Sequence, residues 1–364
     1  MASEHAPVNM KVDARNFALE INAASPEQVD LRFFSYRPSS TVEILIRETV
    51  ARNFLQYGSR CRYLLREMLA TKLGAKPRNL ILTEGATQAL LLCLVSTISS
   101  RRRVLCPRPG FPAYKFIAGA ASLNVEYYDV NLLSDLIRVE RLEARDVVIL
   151  NYPHNPTGLV IADADLFEVI ERIATVGAEV IVDRSHVSDL SCEAALIKGV
   201  QQFGSASVRF IYSIGKYLCF PALRIGVIAC INQQDIDDLN ALRSHFCPST
   251  SNLEQEVAVA LFEDIELNQW VSKTRELLKR RIYEFSSYVI GSKSLADEGS
   301  TFPYFYCNIA RIPCASRLIG VSGTLFHGQS EFARYCLGVN VGTWNRLVRA
   351  LPNTVDVFTV EAEG

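Results

Sequence analysis

Short runs of Val, Ile and Leu alternate with stretches of helical periodicity from about residue 80 onward. Continuous apolar runs are typical of parallel strands buried on both faces, and an apolar residue at every third or fourth position is typical of helices. The predicted strands are 80–83, 104–106, 125–130, 147–151, 179–182, 210–212 and 225–229, and the predicted helices are 86–99, 112–121 and 162–175. We therefore expect an α/β fold with a mostly parallel, seven-stranded sheet between layers of helices.

The pattern changes after residue 250, where long helical stretches and short strands replace the regular alternation. This change predicts a second, smaller α+β unit. Its predicted segments are the helices 252–263, 268–290 and 343–351 and the strands 304–309 and 332–337, joined by an N-terminal helix at 41–56. We expect residues 1–45 to contribute to the small domain and the active-site entrance, 46–248 to form the large domain, and 249–364 to form the small C-terminal domain.

Composition narrows the class of protein. The chain has 364 residues, of which 49% are apolar, and a formal net charge of −1. This length is sufficient for more than one hydrophobic core. Nucleic acid is not expected as a partner, because binding to its phosphates requires a concentrated cationic surface, and the one dense basic run, 101–103, is interpreted as a solvated loop.

Membrane and secretory signals are not expected in this sequence. No apolar run reaches the roughly 18 residues that a membrane span requires, and the polar N-terminus does not resemble a signal peptide. The 10 cysteines are scattered, without Cys-x-x-Cys pairs or the Cys/His spacing of a metal site. We expect a cytoplasmic protein without a metal centre.

Lys216 is the first candidate for chemistry. It follows the apolar run 210–212 in a short glycine-containing segment, with Ser213 three residues before it and Arg224 eight residues after it. A buried amine near a second cation has a lowered pKa and forms Schiff bases readily. Ser213 and Arg224 are suited to binding a phosphate. Together these residues point to pyridoxal 5'-phosphate (PLP), which carries both an aldehyde and a phosphate.

Two further motifs follow predicted strands, where open α/β sheets bind their ligands. The first is 83–87, in which the amides of Gly85, Ala86 and Thr87 stand at a helix N-terminus suited to an anion. The second contains Phe111 at a rigid turn, where its ring is able to stack on a planar heterocycle. Each motif taken alone is equally compatible with an ordinary strand-to-helix turn or an aromatic that closes a loop over the core.

Two polar side chains complete the set. Asn155 stands in the segment 151–158, where two prolines and a glycine fix a turn and present an amide suited to a ring oxygen. Asp183 ends a buried strand, and a carboxylate in that place keeps a pyridine nitrogen protonated. For Asp183 the alternative interpretation is a helix N-cap.

In this order and spacing, the motifs resemble those of the fold-type-I PLP enzymes of the class I/II aminotransferase superfamily. The resemblance covers roughly residues 40 to 350 and is most specific at 155–158 and 213–224. It implies a fold like that of aspartate aminotransferase and a homodimer with shared active sites. Lys216 would form the Schiff base and carry protons at the substrate α-carbon.

The remaining roles follow from the same resemblance. Asp183 would pair with the pyridine nitrogen, Asn155 with the ring hydroxyl, and Phe111 would stack on the ring. Tyr57 looks like the tyrosine that reaches the phosphate of the neighbouring subunit. The phosphate cradle would consist of Gly85, Ala86, Thr87, Ser213 and Arg224.

The substrate contacts implied by the resemblance lie elsewhere in the chain. Arg334 looks like the arginine that binds the substrate carboxylate bidentately. Asn155 and the acid Glu84 are further candidates for contact with a small-molecule amino acid.

The sequence departs from the family pattern at two positions near these residues. His186 stands where a tyrosine usually donates to the ring oxygen, and it adds a group that exchanges protons near neutral pH. Gly215 stands where a serine often precedes the lysine. We therefore take His186 as a catalytic candidate beside Lys216 and Asp183.

These departures leave the reaction open. Transamination of an L-amino acid is expected by default. The alternatives are β/γ-elimination or cyclisation, of the type that forms capreomycidine or enduracididine, and decarboxylation in specialised amino-acid metabolism. A non-catalytic PLP sensor is a different class, but nothing before residue 40 is long or basic enough for a DNA-binding module.

Overall fold

The computed structural model describes residues 27–37, 40–53, 61–98, 103–130, 142–204, 206–246, 250–290, 303–312 and 315–351. Twelve β-strands and eleven α-helices lie in this part of the chain. The strands are β1 (Val29–Asp30), β2 (Leu80–Glu84), β3 (Arg103–Arg108), β4 (Asn124–Asp129), β5 (Val147–Asn151), β6 (Glu179–Asp183), β7 (Val208–Ser213), β8 (Ile225–Cys230), β9 (Tyr304–Asn308), β10 (Leu318–Ile319), β11 (Val321–Ser322) and β12 (Phe332–Cys336). The helices are α1 (Ser40–Asn53), α2 (Cys61–Leu73), α3 (Gly85–Val95), α4 (Ala113–Ala120), α5 (Asp163–Thr175), α6 (Glu193–Val200), α7 (Ile214–Tyr217), α8 (Gln233–Phe246), α9 (Asn252–Glu263), α10 (Ile265–Ser287) and α11 (Val341–Ala350).

The predicted seven-stranded sheet is present, with strand order β2-β8-β7-β6-β5-β3-β4. Its neighbouring strands are parallel except for β8, which is antiparallel to both β2 and β7. A parallel crossover needs a connection of a dozen or more residues, usually built around a full helix. The segment between β7 and β8 contains only the single-turn helix α7, so the chain reverses direction there.

Side chains of this sheet form a separate core on each face, because successive residues of a strand point to opposite sides. Ile81, Ile149, Ile181 and Ile211 are buried on one face with residues of α3, α4 and α8. On the other face, residues of α2, α5, α6 and α9 pack against the alternate positions Leu82, Leu150, Val182 and Phe210.

A third core surrounds a three-stranded antiparallel sheet of order β11-β12-β9. Residues of α10 and α11 pack on it, including Phe285, Trp344 and Leu347. The N-terminal strand β1 pairs in parallel with β10 at the edge of the same core. Helices α1 and α9, which the sequence pattern assigned to the smaller unit, instead pack with α2 beside the large sheet.

Candidate active site

The predicted site residues meet at one edge of the large sheet, where neighbouring parallel strands end. Asp183 ends β6, Ser213 ends β7, and Lys216 lies in α7 directly after β7. Because β6 and β7 pair in parallel, their C-terminal ends place these side chains side by side. The Nζ atom of Lys216 is 3.0 Å from Nε2 of His186 and 6.0 Å from the centroid of the Phe111 ring.

The electrostatic surroundings favour neutral forms of the lysine and the histidine. Burial lowers the pKa of Lys216 from 10.5 to about 8, with Arg334 and Arg224 adding to the effect and Asp183 opposing it. Burial also lowers the pKa of His186 well below its usual 6.5, and the nearby cations Lys216 and Arg334 reinforce this shift. A neutral imidazole in contact with the lysine amine is therefore able to accept a proton from it or to donate one to it.

Asp183 is held by two donors. Its Oδ2 atom accepts a hydrogen bond from the Tyr114 hydroxyl at 2.6 Å, and Oδ1 accepts one from the backbone N–H of Ser185 at 2.9 Å. Burial and the neighbouring carboxylate raise the pKa of Tyr114 well above its usual 10, so the phenol remains a donor. Our sequence reasoning missed Tyr114, although it stands one helical turn after Phe111.

Arg334, on β12 of the three-stranded sheet, contacts the loop that follows β5 of the large sheet. Its Nη1 atom donates to Oδ1 of Asn155 at 3.0 Å, and the backbone N–H of Asn155 donates to Oδ1 of Asn151 at 2.9 Å. The Arg334 guanidinium carbon lies 4.0 Å from the ring centroid of Tyr304 and 4.9 Å from that of Phe326. The sequence did not indicate these two aromatic neighbours, because aromatic residues in a strand pattern are usually core.

At the expected phosphate cradle, the backbone of Gly85 lies close to the guanidinium of Arg224. Gly85 is the first residue of α3 and has φ +73°, and a Cβ atom built on it would lie 2.7 Å from Nη2 of Arg224. Gly226 is equally restricted, since its Cβ would lie 2.4 Å from the carbonyl carbon of Gly85. Ser213 pairs with Gly226 across β7 and β8. The N-terminus of α3 and Arg224 thus lie close together at a position where only glycine fits. Backbone amides at a helix N-terminus beside a guanidinium are suited to binding an anion.

Glu84 precedes this cradle and has a partner. Its Oε1 atom accepts a hydrogen bond from the backbone N–H of Ser251 at 2.7 Å. Glu254, one turn into α9, has its pKa raised by burial and, to a lesser extent, by the charge of Glu84. Glu84 therefore connects the cradle to the start of α9.

Gly215, which precedes Lys216, lies in a turn that leaves no space for a side chain. A Cβ atom on Gly215 would lie 2.1 Å from the carbonyl oxygen of Leu223 and 2.8 Å from that of Phe220. In addition, the Gly215 carbonyl accepts a hydrogen bond from the Phe220 N–H at 2.7 Å. The serine common in the family does not fit this turn.

Replacing Gly215 by alanine is expected to lower the free energy of unfolding by about 2 kcal/mol, because the turn that carries Lys216 must open to relieve the overlap. Gly342→Ala is the matched control, since its Cβ meets nothing closer than 3.4 Å, and it should change stability by less than about 0.5 kcal/mol. Urea unfolding measures both. Equal effects of the two substitutions would contradict the steric explanation.

Other expectations concern residues or features away from this edge. Tyr57 lies outside the described residues. In the described ranges, no group of three or more His, Cys, Asp or Glu side chains is arranged to hold a metal ion. No helix within the described segments combines the length and apolar character needed to cross a membrane.

Comparison with known proteins identifies the family. The sequence profile of "Aminotransferase class I and II" matches residues 33–308. The histidinol-phosphate aminotransferase of Caldanaerobacter subterraneus subsp. tengcongensis is 26% identical over 277 residues, which cover 74% of this chain and 71% of that protein.

Solved structures show the same fold at lower identity. An aminotransferase from Mycobacterium tuberculosis superposes with a TM-score of 0.75 at 16% identity, covering 96% of this chain and 97% of that one. Aspartate aminotransferase from Thermotoga maritima gives a TM-score of 0.68 at 18% identity, with 94% and 95% covered. The predicted architecture, cofactor and enzymatic nature of the protein are thereby confirmed. The chain belongs to the class I and II aminotransferase family and is a PLP-dependent enzyme.

Proposed function

We propose that this protein is an aminotransferase that acts on an L-amino acid and binds its cofactor through the amine of Lys216. The observation that carries the proposal is the position of this amine. It lies in α7, directly after the central strand β7, 3.0 Å from His186 and 6.0 Å from the Phe111 ring centroid, and its pKa is lowered to about 8. No other lysine of the described chain is indicated by the sequence motifs.

The surrounding groups fit the parts of the cofactor. Asp183 would face the pyridine nitrogen, Asn155 and His186 would face the ring hydroxyl, and Phe111 would cover the ring. When bound, PLP supplies an electron sink for the substrate α-carbon. The residues proposed to hold its phosphate are Gly85, Ala86, Thr87, Ser213 and Arg224.

The proposed work of the chain's own residues is binding and proton transfer. Arg334 would bind the substrate carboxylate, a role supported by its buried Nε atom, which makes no hydrogen bond within the described part of the chain. A carboxylate there would satisfy this donor in a charge-assisted bond. Lys216 would remove and return the proton at the substrate α-carbon, and neutral His186 would orient the lysine amine and exchange a proton with it.

The test is turnover of a substrate panel by purified holoenzyme, with and without a 2-oxo acid as amino-group acceptor. The panel should include proteinogenic L-amino acids and, because the similar proteins include histidinol-phosphate aminotransferases, L-histidinol phosphate. Transamination predicts formation of the amino acid derived from the acceptor, together with an absorbance change of the cofactor. Turnover without an acceptor, with loss of water, ammonia or carbon dioxide, would contradict the proposal.

One observation favours a second candidate, elimination or cyclisation of the substrate side chain. His186 is an imidazole in place of the usual phenol, and it touches the proton-carrying lysine. A neutral imidazole in this place is able to take a proton from the lysine and pass it to a leaving group at Cβ or Cγ. A His186→Tyr variant that transaminates faster while losing acceptor-independent turnover would support this second function.

The lowered pKa of Lys216 predicts how the apoprotein takes up PLP. Only the neutral amine is a nucleophile, and at pH 7 a pKa of about 8 leaves roughly 10% neutral, against roughly 0.03% for an ordinary lysine. The rate of cofactor attachment should therefore reach half of its maximum near pH 8 and level off about one pH unit higher. Stopped-flow absorbance across this pH range measures the rate, and a continued rise to about pH 10 would contradict the lowered pKa.

We also propose a homodimer in which Tyr57 reaches the partner's phosphate site. This proposal is supported by the family to which the chain belongs. Mixed dimers provide a test. A Tyr57→Phe, Lys216→Ala chain paired with a wild-type chain leaves the single Lys216 site without its tyrosine, whereas Lys216→Ala alone leaves it complete. Weaker cofactor binding in the first hybrid only is expected, and equal binding would contradict the shared site.

We also propose the domain boundaries and the cellular location of the protein. We propose 1–45, 46–248 and 249–364 as the N-terminal segment, the large domain and the small domain, with α9 acting as the connection because it packs beside the large sheet. Cys93, Cys106, Cys192, Cys219, Cys230, Cys307 and Cys336 are free thiols, and all of them except Cys192 are buried. This supports the reducing, cytoplasmic setting that we propose.

A further inference from the structure

Tyr304 lies between two of the proposed active-site groups. It is the first residue of β9, and its ring supports the Arg334 guanidinium, whose carbon is 4.0 Å from the ring centroid. The ring of His186 meets the same side chain edge to face, with centroids 5.6 Å apart and planes at 80°. Tyr304, His186 and Lys216 also line one small cavity of about 30 Å³.

Both contacts constrain orientation. A guanidinium above an aromatic face is attracted by the negative ring quadrupole, which favours close approach of the flat cation. An edge-to-face pair likewise has a preferred geometry that limits rotation of the imidazole. A single ring thus restrains the group proposed to bind the carboxylate and the group proposed to exchange protons with Lys216.

Phe326 provides an internal comparison. It is buried and also lies against the Arg334 guanidinium, with the carbon 4.9 Å from its ring centroid. Its ring packs edge-on against Tyr306, with centroids 6.2 Å apart, whereas Tyr304 packs edge-on against His186. The two aromatic residues therefore share Arg334 and differ in their second ring partner.

We infer that Tyr304 is a positioning residue that orients Arg334 and His186 together, so that carboxylate binding and α-proton transfer depend on one aromatic ring. The inference rests on the proposed roles of these two residues. The ring rather than the hydroxyl makes both contacts, and burial raises the pKa of Tyr304 to about 12, so the phenol carries no charge at working pH.

The experiment compares Tyr304→Leu, Tyr304→Met, Tyr304→Phe and Phe326→Leu as holoenzymes. The first measurement is the dissociation constant of hydrocinnamate, a carboxylate without an amino group, by titration calorimetry. The second is the release of α-deuterium to solvent from the best amino acid of the panel at saturating concentration. The dissociation constant reports on Arg334. The rate of α-deuterium release reports in addition on Lys216 and His186.

Tyr304→Leu and Tyr304→Met should weaken hydrocinnamate binding about 10-fold and slow α-deuterium release by about the same factor. Phe326→Leu should weaken binding about 3-fold and leave the release rate within about 2-fold of wild type. Tyr304→Phe should match wild type within about 2-fold in both measurements. The Met side chain is unbranched and flexible and adapts to irregular gaps, so it supports the comparison if the Leu variant fails to fold.

The inference would be overturned if Tyr304→Leu and Phe326→Leu showed the same pattern, or if Tyr304→Phe were as impaired as Tyr304→Leu. It would also be overturned if both the Leu and Met variants lost the cofactor, because Tyr304 would then be a general packing residue. An Arg334→Gln variant that binds hydrocinnamate as tightly as the wild-type protein would instead refute the proposed role of Arg334, and the inference with it. If the wild-type protein binds hydrocinnamate and releases α-deuterium, and all four variants behave alike, the inference alone is rejected and the proposed function stands.

Discussion

Replacing Lys216 by alanine is expected to abolish turnover, with a loss of at least about 10⁴-fold in kcat. The substitution removes the amine that is proposed both to bind the cofactor covalently and to carry the α-proton. It also removes the contact with His186 at 3.0 Å.

Steady-state rates with the best substrate of the panel, together with α-deuterium release, measure the effect. Lys198→Ala is the control, because Lys198 is an exposed lysine on α6 and should have normal activity. Added methylamine should restore a small part of the α-deuterium release of the Lys216→Ala protein, since a free amine is able to move the same proton. Turnover within 10-fold of wild type would show that Lys216 does not have the proposed role.

Replacing Asp183 by asparagine is expected to lower kcat by roughly 10²- to 10³-fold. The amide has nearly the same shape, but its single oxygen accepts from only one of the two donors that Asp183 binds, the Tyr114 hydroxyl at 2.6 Å and the Ser185 N–H at 2.9 Å. The substitution therefore removes the negative charge proposed to keep the pyridine nitrogen protonated, together with one acceptor. Cofactor affinity should also fall, because an ionic contact becomes a neutral one.

Asp165→Asn on the exposed face of α5 is the matched control for this substitution. It changes the net charge of the protein by the same amount and should leave kcat within 2-fold of wild type. The absorbance spectrum of the bound cofactor provides a second readout, which should differ in Asp183→Asn and not in the control. Unchanged kcat in Asp183→Asn would place the pyridine nitrogen away from this carboxylate.

The large sheet could be predicted from the sequence because its strands are buried on both faces. Strand β5, for example, consists of five consecutive buried residues, and such a run has no other common interpretation when helices flank it. The reversed direction of β8 could not be predicted in this way, since an apolar run has the same pattern in both directions. Helix α8 was missed because it is rich in Gln, Asp and Asn, and only Ile236 and Leu239 among its apolar residues are buried.

The site was predictable where a motif lies within one short segment. The lysine, the strand-end carboxylate and the glycine at the phosphate cradle are each marked by their immediate neighbours in sequence. The contact of Arg334 with Asn155 joins residues 179 positions apart, and the position of Tyr304 against Arg334 and His186 likewise depends on how two sheets pack. Sequence periodicity contains no information about such pairs.

The most direct test of the central claim is the chemical location of the cofactor. Borohydride reduction of the holoenzyme fixes PLP to its lysine, and mass spectrometry of a proteolytic digest identifies the modified peptide. The assignment predicts one modified site per chain, at Lys216, and its absence from Lys216→Ala. Modification of a different lysine, or an unmodified Lys216 in protein that retains the cofactor, would contradict it.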